Sequence, residues 1–157
     1  MGKDLLKVNQ EYSVFLEHLR QFPQHDSKGV YKLYYYENGK PKTIKRLFSE
    51  DDSGLLYIGM TEGPLIDRVG NLQKALLSNW KAKEDGPASS GHTQMGKRYY
   101  RIRKKVHIDN LYIEVIPVDD LRQTETDHLE NYVSLFSELP PLNGQYGSYN
   151  PDWSIFQ

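Results

Sequence analysis

The hydrophobic period of this chain changes at Pro64, and that change restricts the possible folds more than any other feature. Residues 29–36 and 55–60, before Pro64, are rich in aromatic and β-branched residues, which is typical of strands. After Pro64 the apolar residues recur at the spacing of one helix face, at Leu65, Val69, Leu72 and Leu76. The first part therefore predicts paired strands, and the second predicts helices that cover them.

Further elements follow from the same two patterns. Apolar spacing predicts a helix over residues 4–21, which Pro23 ends. Asn38-Gly39 is a favoured hairpin turn, so residues 42–48 are expected to return as a second strand.

Residues 81–92 read as a loop, and helical spacing resumes from Met95 to Val106. Residues 111–118 form an apolar strand, and a last helix from Leu121 stops before Pro140. The expected fold class is α/β, with a small, mainly antiparallel sheet of three to four strands flanked by helices.

Length and composition narrow the classes of protein. A chain of 157 residues fits one domain, which we divide into an N-terminal helical extension, 1–27, and a main domain, 28–157. The chain has no cysteine, which excludes disulfides, thiolate metal sites and cysteine nucleophiles. No apolar run is long enough for a membrane span and no secretory signal is recognisable, so the cytoplasm is the expected location. A net charge of −1 argues neither for nor against a polyanionic partner.

Five short motifs follow one another along the chain. They are Gly29-Val30-Tyr31, Tyr57-Ile58-Gly59, Arg68, Leu129-Glu130-Asn131 and Pro141-Leu142-Asn143. Together, over roughly residues 28–144, they resemble the GIY-YIG nuclease family, whose members cut DNA at a tyrosine-lined, single-metal site. The resemblance implies a GIY-YIG-like fold, DNA as partner, and hydrolysis of phosphodiester bonds by an endonuclease.

The resemblance assigns roles to the strand and helix residues. Tyr31 and Tyr57 are expected to line the site, with Tyr31 as the general base or positioner of the attacking water. Arg68 is expected to bind the scissile phosphate, because its guanidinium matches phosphate oxygens and stays charged. Gly29 and Gly59 are expected to be structural, with Gly59 allowing close backbone approach. From the residues alone, core tyrosines and a structural ion pair remain the alternatives.

Glu130 is the expected ligand of Mg²⁺ or Mn²⁺, hard cations that take oxygen ligands. Glu125 competes with it, since it lies one turn before Leu129 on the apolar stripe. Asn143 is expected to hold the site together through hydrogen bonds, or to be a turn residue bonded to its own backbone. His92 is either the acid that protonates the leaving group or a loop residue, and its distance from Arg68 favours the loop.

A basic segment supplies the expected DNA-binding face. Its cations are Lys97, Arg98, Arg101, Lys104 and Lys105, and a solvated helix face is the alternative reading.

The chain also departs from the family pattern. Met60 follows Tyr-Ile-Gly where relatives often carry lysine, and a hairpin insertion separates the two tyrosine motifs. Met60 favours a rival function, a catalytically silent nucleic-acid-binding module of the same fold. The oligomeric state stays open.

Overall fold

The computed structural model describes residues 4–78 and 92–143. Within these ranges the chain has a mixed α/β fold, with four helices, an antiparallel five-stranded sheet and a second sheet of two strands. The helices are α1 (Tyr12–Arg20), α2 (Leu65–Leu77), α3 (Thr93–Ile102) and α4 (Leu121–Phe136). The strands are β1 (Leu6–Lys7), β2 (Gly29–Glu37), β3 (Lys40–Pro41), β4 (Ile44–Lys45), β5 (Glu50–Asp51), β6 (Leu55–Thr61) and β7 (Leu111–Pro117).

β2 is the central strand of the main sheet. It pairs with β7 along one side and with β6 and β3 along the other, and β1 pairs with the far side of β7. Successive side chains of a strand point to opposite faces. Tyr31 and Leu33 therefore join the core that contains α1, α2 and α3, whereas Val30 joins the core beneath α4.

The predictions for β2, β6 and α2 are confirmed to within one residue, and Pro64 directly precedes α2. The predicted hairpin turn is confirmed too, because Asn38 and Gly39 have φ angles of 54° and 77°. The predicted return strand over residues 42–48 is wrong. β3 ends at Pro41, because β6 pairs with residues 29–34 of β2 and occupies the edge that a longer return strand would need. The insertion instead forms its own sheet from β4 and β5.

The predicted helix over residues 4–21 is wrong in its first half. Leu6 and Lys7 pair with β7, and the helix begins only at Tyr12. Leu6 and Val8 are buried, with exposed Lys7 between them, so this segment has the alternation of a strand. The N-terminal segment thus contributes to the core of the main sheet.

Two other predictions concern the middle of the chain. The loop predicted over residues 81–92 lies outside the described residues, except for His92. α3 ends at Ile102, so the helical spacing predicted as far as Val106 continues past the end of the helix. In residues 4–78 and 92–143, no helix has both the length and the apolar character required to cross a membrane.

Candidate functional site

Tyr31 lies at the centre of a buried cluster on the α2 and α3 side of the sheet. Its side chain is fully buried, and its hydroxyl lies 2.6 Å from Nε2 of His92. The two rings meet edge to face, with centroids 5.7 Å apart. Tyr57 completes a triangle of rings, with its centroid 6.3 Å from Tyr31 and 6.3 Å from His92.

The register of β2 and β6 explains how the two tyrosines meet. Tyr31 pairs with Gly59, and Leu33 pairs with Tyr57, so the tyrosines lie on one face two residues apart across the strands. The Tyr31 ring lies directly over Gly59, where an added Cβ would be 2.7 Å from the hydroxyl oxygen and 2.5 Å from the ring carbon that bears it. The group that approaches Gly59 closely is therefore a side chain of the cluster, the Tyr31 ring.

Gly29 has a comparable but separate constraint. A Cβ there would be 2.5 Å from the carbonyl oxygen of Ile116, the neighbour of its strand partner Pro117. Gly29 therefore allows β2 and β7 to pair closely at the end of the sheet next to α2.

Arg68 projects from α2 toward the tyrosines and is half-buried. Burial raises the pKa of Tyr31 above the ordinary range, as does the neighbouring Tyr57, while Arg68 lowers it by its charge and by a side-chain hydrogen bond. Burial also raises the pKa of Tyr57, and Arg68 opposes that shift. The structure therefore brings Arg68 together with both tyrosines, as expected for the site.

His92 is fully buried at the start of α3, and this contradicts the loop interpretation. Burial, together with the charge of Arg68, lowers its pKa to about 3, so the imidazole is neutral at pH 7. A neutral imidazole whose Nε2 accepts the Tyr31 hydroxyl proton carries its own hydrogen on Nδ1. Nδ1 is buried without a hydrogen-bond partner in the described part of the chain.

The two glutamates of α4 occupy opposite sides of that helix. Glu130, the expected metal ligand, is exposed, whereas Glu125 is buried. The charge of Glu125 acts on both Tyr31 and Tyr57. The placement of Glu130 is thus corrected, because burial along α4 recurs at Leu121, Glu125, Leu129 and Tyr132 and leaves position 130 facing outward.

Glu125 differs from Glu130 in its burial. Its Oε1 is buried and has no hydrogen-bond partner among the described residues. Burial raises its pKa from 4.5 to about 7. Its spacing to Leu129 is the sequence signal that made it a competitor of Glu130.

Asn143 binds the backbone of β6 rather than its own turn. Its side-chain amide donates to the carbonyl of Ile58 at 2.8 Å, and its side-chain oxygen accepts from the Ile58 N–H at 2.9 Å. Leu142 N–H donates to the carbonyl of Leu56 at 2.8 Å. The segment after α4 therefore runs along β6 and holds the strand that carries Tyr57 and Gly59.

The basic residues of α3 and of the turn that follows it divide into two sets. Arg98 is half-buried and donates to the Leu142 carbonyl at 3.2 Å, and its charge lowers the pKa of Tyr57. The other four predicted DNA-binding cations, Lys97, Arg101, Lys104 and Lys105, are exposed. Arg98 was predicted only as a surface contact, and nothing in its local sequence distinguishes it from its neighbours.

Met60 points away from the cluster. It follows Gly59 on β6, and its side chain packs against the core beneath α4. A cation at position 60 would thus begin on the opposite face from Tyr31 and Tyr57. Arg98 provides positive charge on their side of the sheet.

The insertion between the tyrosine motifs is anchored to α4. Tyr132 donates its hydroxyl to buried Asp51 at 2.8 Å, and Arg46 donates to the Leu139 carbonyl at 2.6 Å. Arg46 also pairs with Glu138 at 3.0 Å. The insertion therefore braces the helix that carries Glu125, and no sequence signal predicted this contact.

No group of three or more histidine or acidic side chains within residues 4–78 and 92–143 is arranged to hold a metal ion. Comparison of the chain with protein-family models, curated proteins and solved structures finds no match.

Proposed function

We propose that this chain is a metal-dependent DNA endonuclease of the GIY-YIG type. The observation that carries the proposal is the convergence of Tyr31, Tyr57, Arg68 and His92 with Glu125, a buried carboxyl group whose Oε1 has no hydrogen-bond partner among the described residues. These residues come from β2, β6, α2, α4 and the start of α3, so their proximity is a property of the fold. A core tyrosine pair alone would not require a nearby cation, nor a buried carboxyl group whose charge acts on both tyrosines.

Tyr31 is suited to position water rather than to act as a free phenolate. Its pKa is raised by burial, which disfavours ionisation at neutral pH. With its proton directed to His92 and Arg68 donating to its oxygen, the remaining lone pair accepts a hydrogen from the attacking water. This arrangement directs the water oxygen toward a phosphate bound at Arg68.

The proton balance of the proposed step uses the same contacts. As the water oxygen bonds to phosphorus, its proton passes to Tyr31 while the Tyr31 proton passes to Nε2 of His92. The bond from phosphorus to the leaving oxygen breaks, and that oxygen is protonated by solvent. The negative charge of the phosphate offsets the charge of Arg68 and stabilises the imidazolium of His92.

Glu125 fits a single hard cation. Within the described residues the buried Oε1 of Glu125 has no hydrogen-bond partner, and such an oxygen is the kind of donor that Mg²⁺ or Mn²⁺ accepts alongside phosphate oxygens and water. When bound, the cation would polarise the phosphate and stabilise charge on the leaving oxygen. Glu125 thereby takes the role that the sequence assigned to Glu130. Arg68 and Arg98 supply the remaining positive charge around the tyrosines.

Nicking of supercoiled plasmid tests the proposal, using Mg²⁺ or Mn²⁺ and a matched pair of variants. We expect Glu125→Gln to reduce the rate by about 100-fold or more, since one ligand of the cation is lost. Glu130→Gln, the same substitution five residues along α4, is expected to nick within about two-fold of wild type, and Arg68→Ala is expected to be inactive.

The second candidate is the silent nucleic-acid-binding module, which the exposed cations of α3 favour. Salt-sensitive DNA binding without nicking in either metal would favour that module and refute the endonuclease. Equal nicking by Glu125→Gln and wild type would refute the metal-binding role of Glu125.

A further inference from the structure

A groove of about 680 Å³ lies between the end of α2 and the end of α3, away from the tyrosine cluster. Leu76 and Ile108 contribute its apolar surface, and Tyr100 contributes a half-buried aromatic ring. Arg103, Lys104 and His107 supply its charged and polar edge. A flat aromatic ring beside apolar side chains and cations is the combination that binds a base together with its phosphate.

The charges of the groove complement a polyanion. Arg103 lies over the Tyr100 ring, with its guanidinium carbon 3.7 Å from the ring centroid, and the two side chains form a cation–π pair. Lys104 is exposed next to it. No carboxylate belongs to the described lining of the groove, and Asp109, which lies outside that lining, pairs with His107 at 3.3 Å.

α3 connects the groove to the tyrosine cluster. His92 lies at the start of this helix and Tyr100 near its end. Eight residues at about 1.5 Å each separate them along the axis by roughly 12 Å. Because stacked nucleotides rise about 3.4 Å each, that distance corresponds to three or four nucleotides of a strand.

The exposed face of α3 supplies cations along this distance. Lys97 and Arg101 are four residues apart in α3 and lie on one side of the helix, and Lys104 follows in the turn after α3 ends at Ile102. All three are exposed. A nucleic-acid strand that leaves the tyrosine cluster along this face would have its phosphates accompanied by positive charge as far as the groove.

We propose that this groove binds an unpaired nucleotide of the strand being cut, three or four positions from the scissile phosphate. The substrate would then be DNA in which a single-stranded segment adjoins a duplex. A base within an intact duplex is stacked on its neighbours and cannot reach the Tyr100 ring, whereas an unpaired base can. This inference rests on the proposed endonuclease for the position of the cut, but binding at the groove is measurable without cleavage.

The test is a fluorescence scan on the full chain in EDTA, which prevents metal-dependent cleavage. Duplex DNA with a single-stranded overhang carries one 2-aminopurine at successive overhang positions, and a blunt duplex of the same length serves as the reference. We expect emission to fall on binding only when 2-aminopurine is at one or two adjacent positions. Overhang DNA is expected to bind about ten-fold more tightly than the blunt duplex.

Variants assign the signal to the groove. Tyr100→Ala is expected to abolish the position-specific quenching and most of the overhang preference, while Tyr100→Phe keeps both, because stacking does not need the hydroxyl. Tyr12→Ala is the matched control, since Tyr12 is also a surface tyrosine beside a cation, with Lys74 Nζ 4.1 Å from its ring centroid. Circular dichroism of each variant verifies folding.

The outcomes separate this inference from the proposed function. Quenching that depends on Tyr100, in a chain that cuts neither plasmid nor the overhang DNA with Mg²⁺ or Mn²⁺, would support the groove and refute the endonuclease. Nicking that is unchanged in Tyr100→Ala, together with equal affinity for overhang and blunt DNA, would refute the groove and leave the endonuclease intact. Quenching that is equally strong in Tyr100→Ala would also refute the groove.

Discussion

Two groups of tyrosines lie on opposite faces of the same sheet, and they differ in what surrounds their hydroxyl groups. Tyr31 and Tyr57 face α2 and α3, while Tyr34 and Tyr36 face α4. The second group is also packed ring to ring, with 6.0 Å between the centroids of Tyr34 and Tyr36. The pKa of each of these four tyrosines is raised, mainly by burial.

The difference lies in charge and in hydrogen-bond partners. Tyr34 donates to the carboxylate of Glu114 at 3.2 Å, which is an ordinary, partly buried hydrogen bond. Tyr31 instead interacts with the cation Arg68 and with His92, and the charge of Glu125 also acts on it. Within the described residues, Nδ1 of His92 and Oε1 of Glu125 are buried without a hydrogen-bond partner. Aromatic content therefore does not identify a candidate site in this chain. Unsatisfied polar groups beside cations do.

The largest expected difference is between two variants that each remove one tyrosine hydroxyl, on opposite faces of β2. Tyr31→Phe is expected to lower the rate of plasmid nicking by about 100- to 10,000-fold, because the water loses its acceptor and the path to His92 is broken. Tyr34→Phe removes the same atom on the opposite face and is expected to leave the rate within about two-fold. Similar losses in both variants would show that the two groups do not differ in function.

The next largest effect is expected from adding a Cβ to the backbone beside Tyr31. Gly59→Ala would place a Cβ 2.7 Å from the Tyr31 hydroxyl, so the ring must move, and we expect nicking to fall by about 100-fold. Stability is expected to fall by about 1–3 kcal/mol through overpacking. Gly63→Ala is the control, because its nearest contact would be an ordinary 3.8 Å from the Thr61 hydroxyl. Urea unfolding and nicking assays measure both changes, and a fully active Gly59→Ala would contradict the proposed place of Tyr31.

The smallest effect concerns the pH dependence of stability. Burial raises the pKa of Glu125 from 4.5 to about 7, so the folded chain holds a proton that the unfolded chain has lost between these values. This group makes the folded state less stable as pH rises through that window, by about 3 kcal/mol in total. His92 acts oppositely, because its pKa of about 3 means that stability is lost as pH falls below 6.5.

Comparison with Glu125→Gln separates the two opposed groups. The free energy of unfolding of the variant, minus that of wild type, should increase from pH 4.5 to pH 7 and then level off. Adding Mg²⁺ at pH 7 should stabilise wild type more than the variant. Urea unfolding at a series of pH values measures this difference, and a difference that is constant with pH would show that Glu125 is not buried as described.

The elements that the sequence predicted well are those in which local pattern and tertiary environment agree. β2, β6 and α2 each have a long, regular pattern and lie in the core. β1 was missed because Leu5, Val8 and Tyr12 fit a helix as well as they fit a strand followed by a helix. Only pairing with β7, which is about 100 residues away, decides between them.

The site was predictable in its residue types more than in its geometry. Tyr31, Tyr57 and Arg68 lie together as expected, since strand register and helix phase follow from short-range patterns. Glu130 and Glu125 are both plausible from sequence, and only the direction in which α4 packs selects the buried one. His92 is separated from Arg68 by a long segment, so its approach to Tyr31 had no local signal.

The pairing of Asn143 with Ile58 has a consequence for the behaviour of the chain in concentrated solution. β6 is an edge strand of the described sheet, and the outer N–H and C=O groups of an edge strand can pair with a strand of another molecule. A single amide side chain here occupies both groups of Ile58, as a neighbouring strand would. By occupying these groups, Asn143 blocks the pairing of a strand from another molecule at Ile58, and so opposes aggregation at the edge that carries Tyr57.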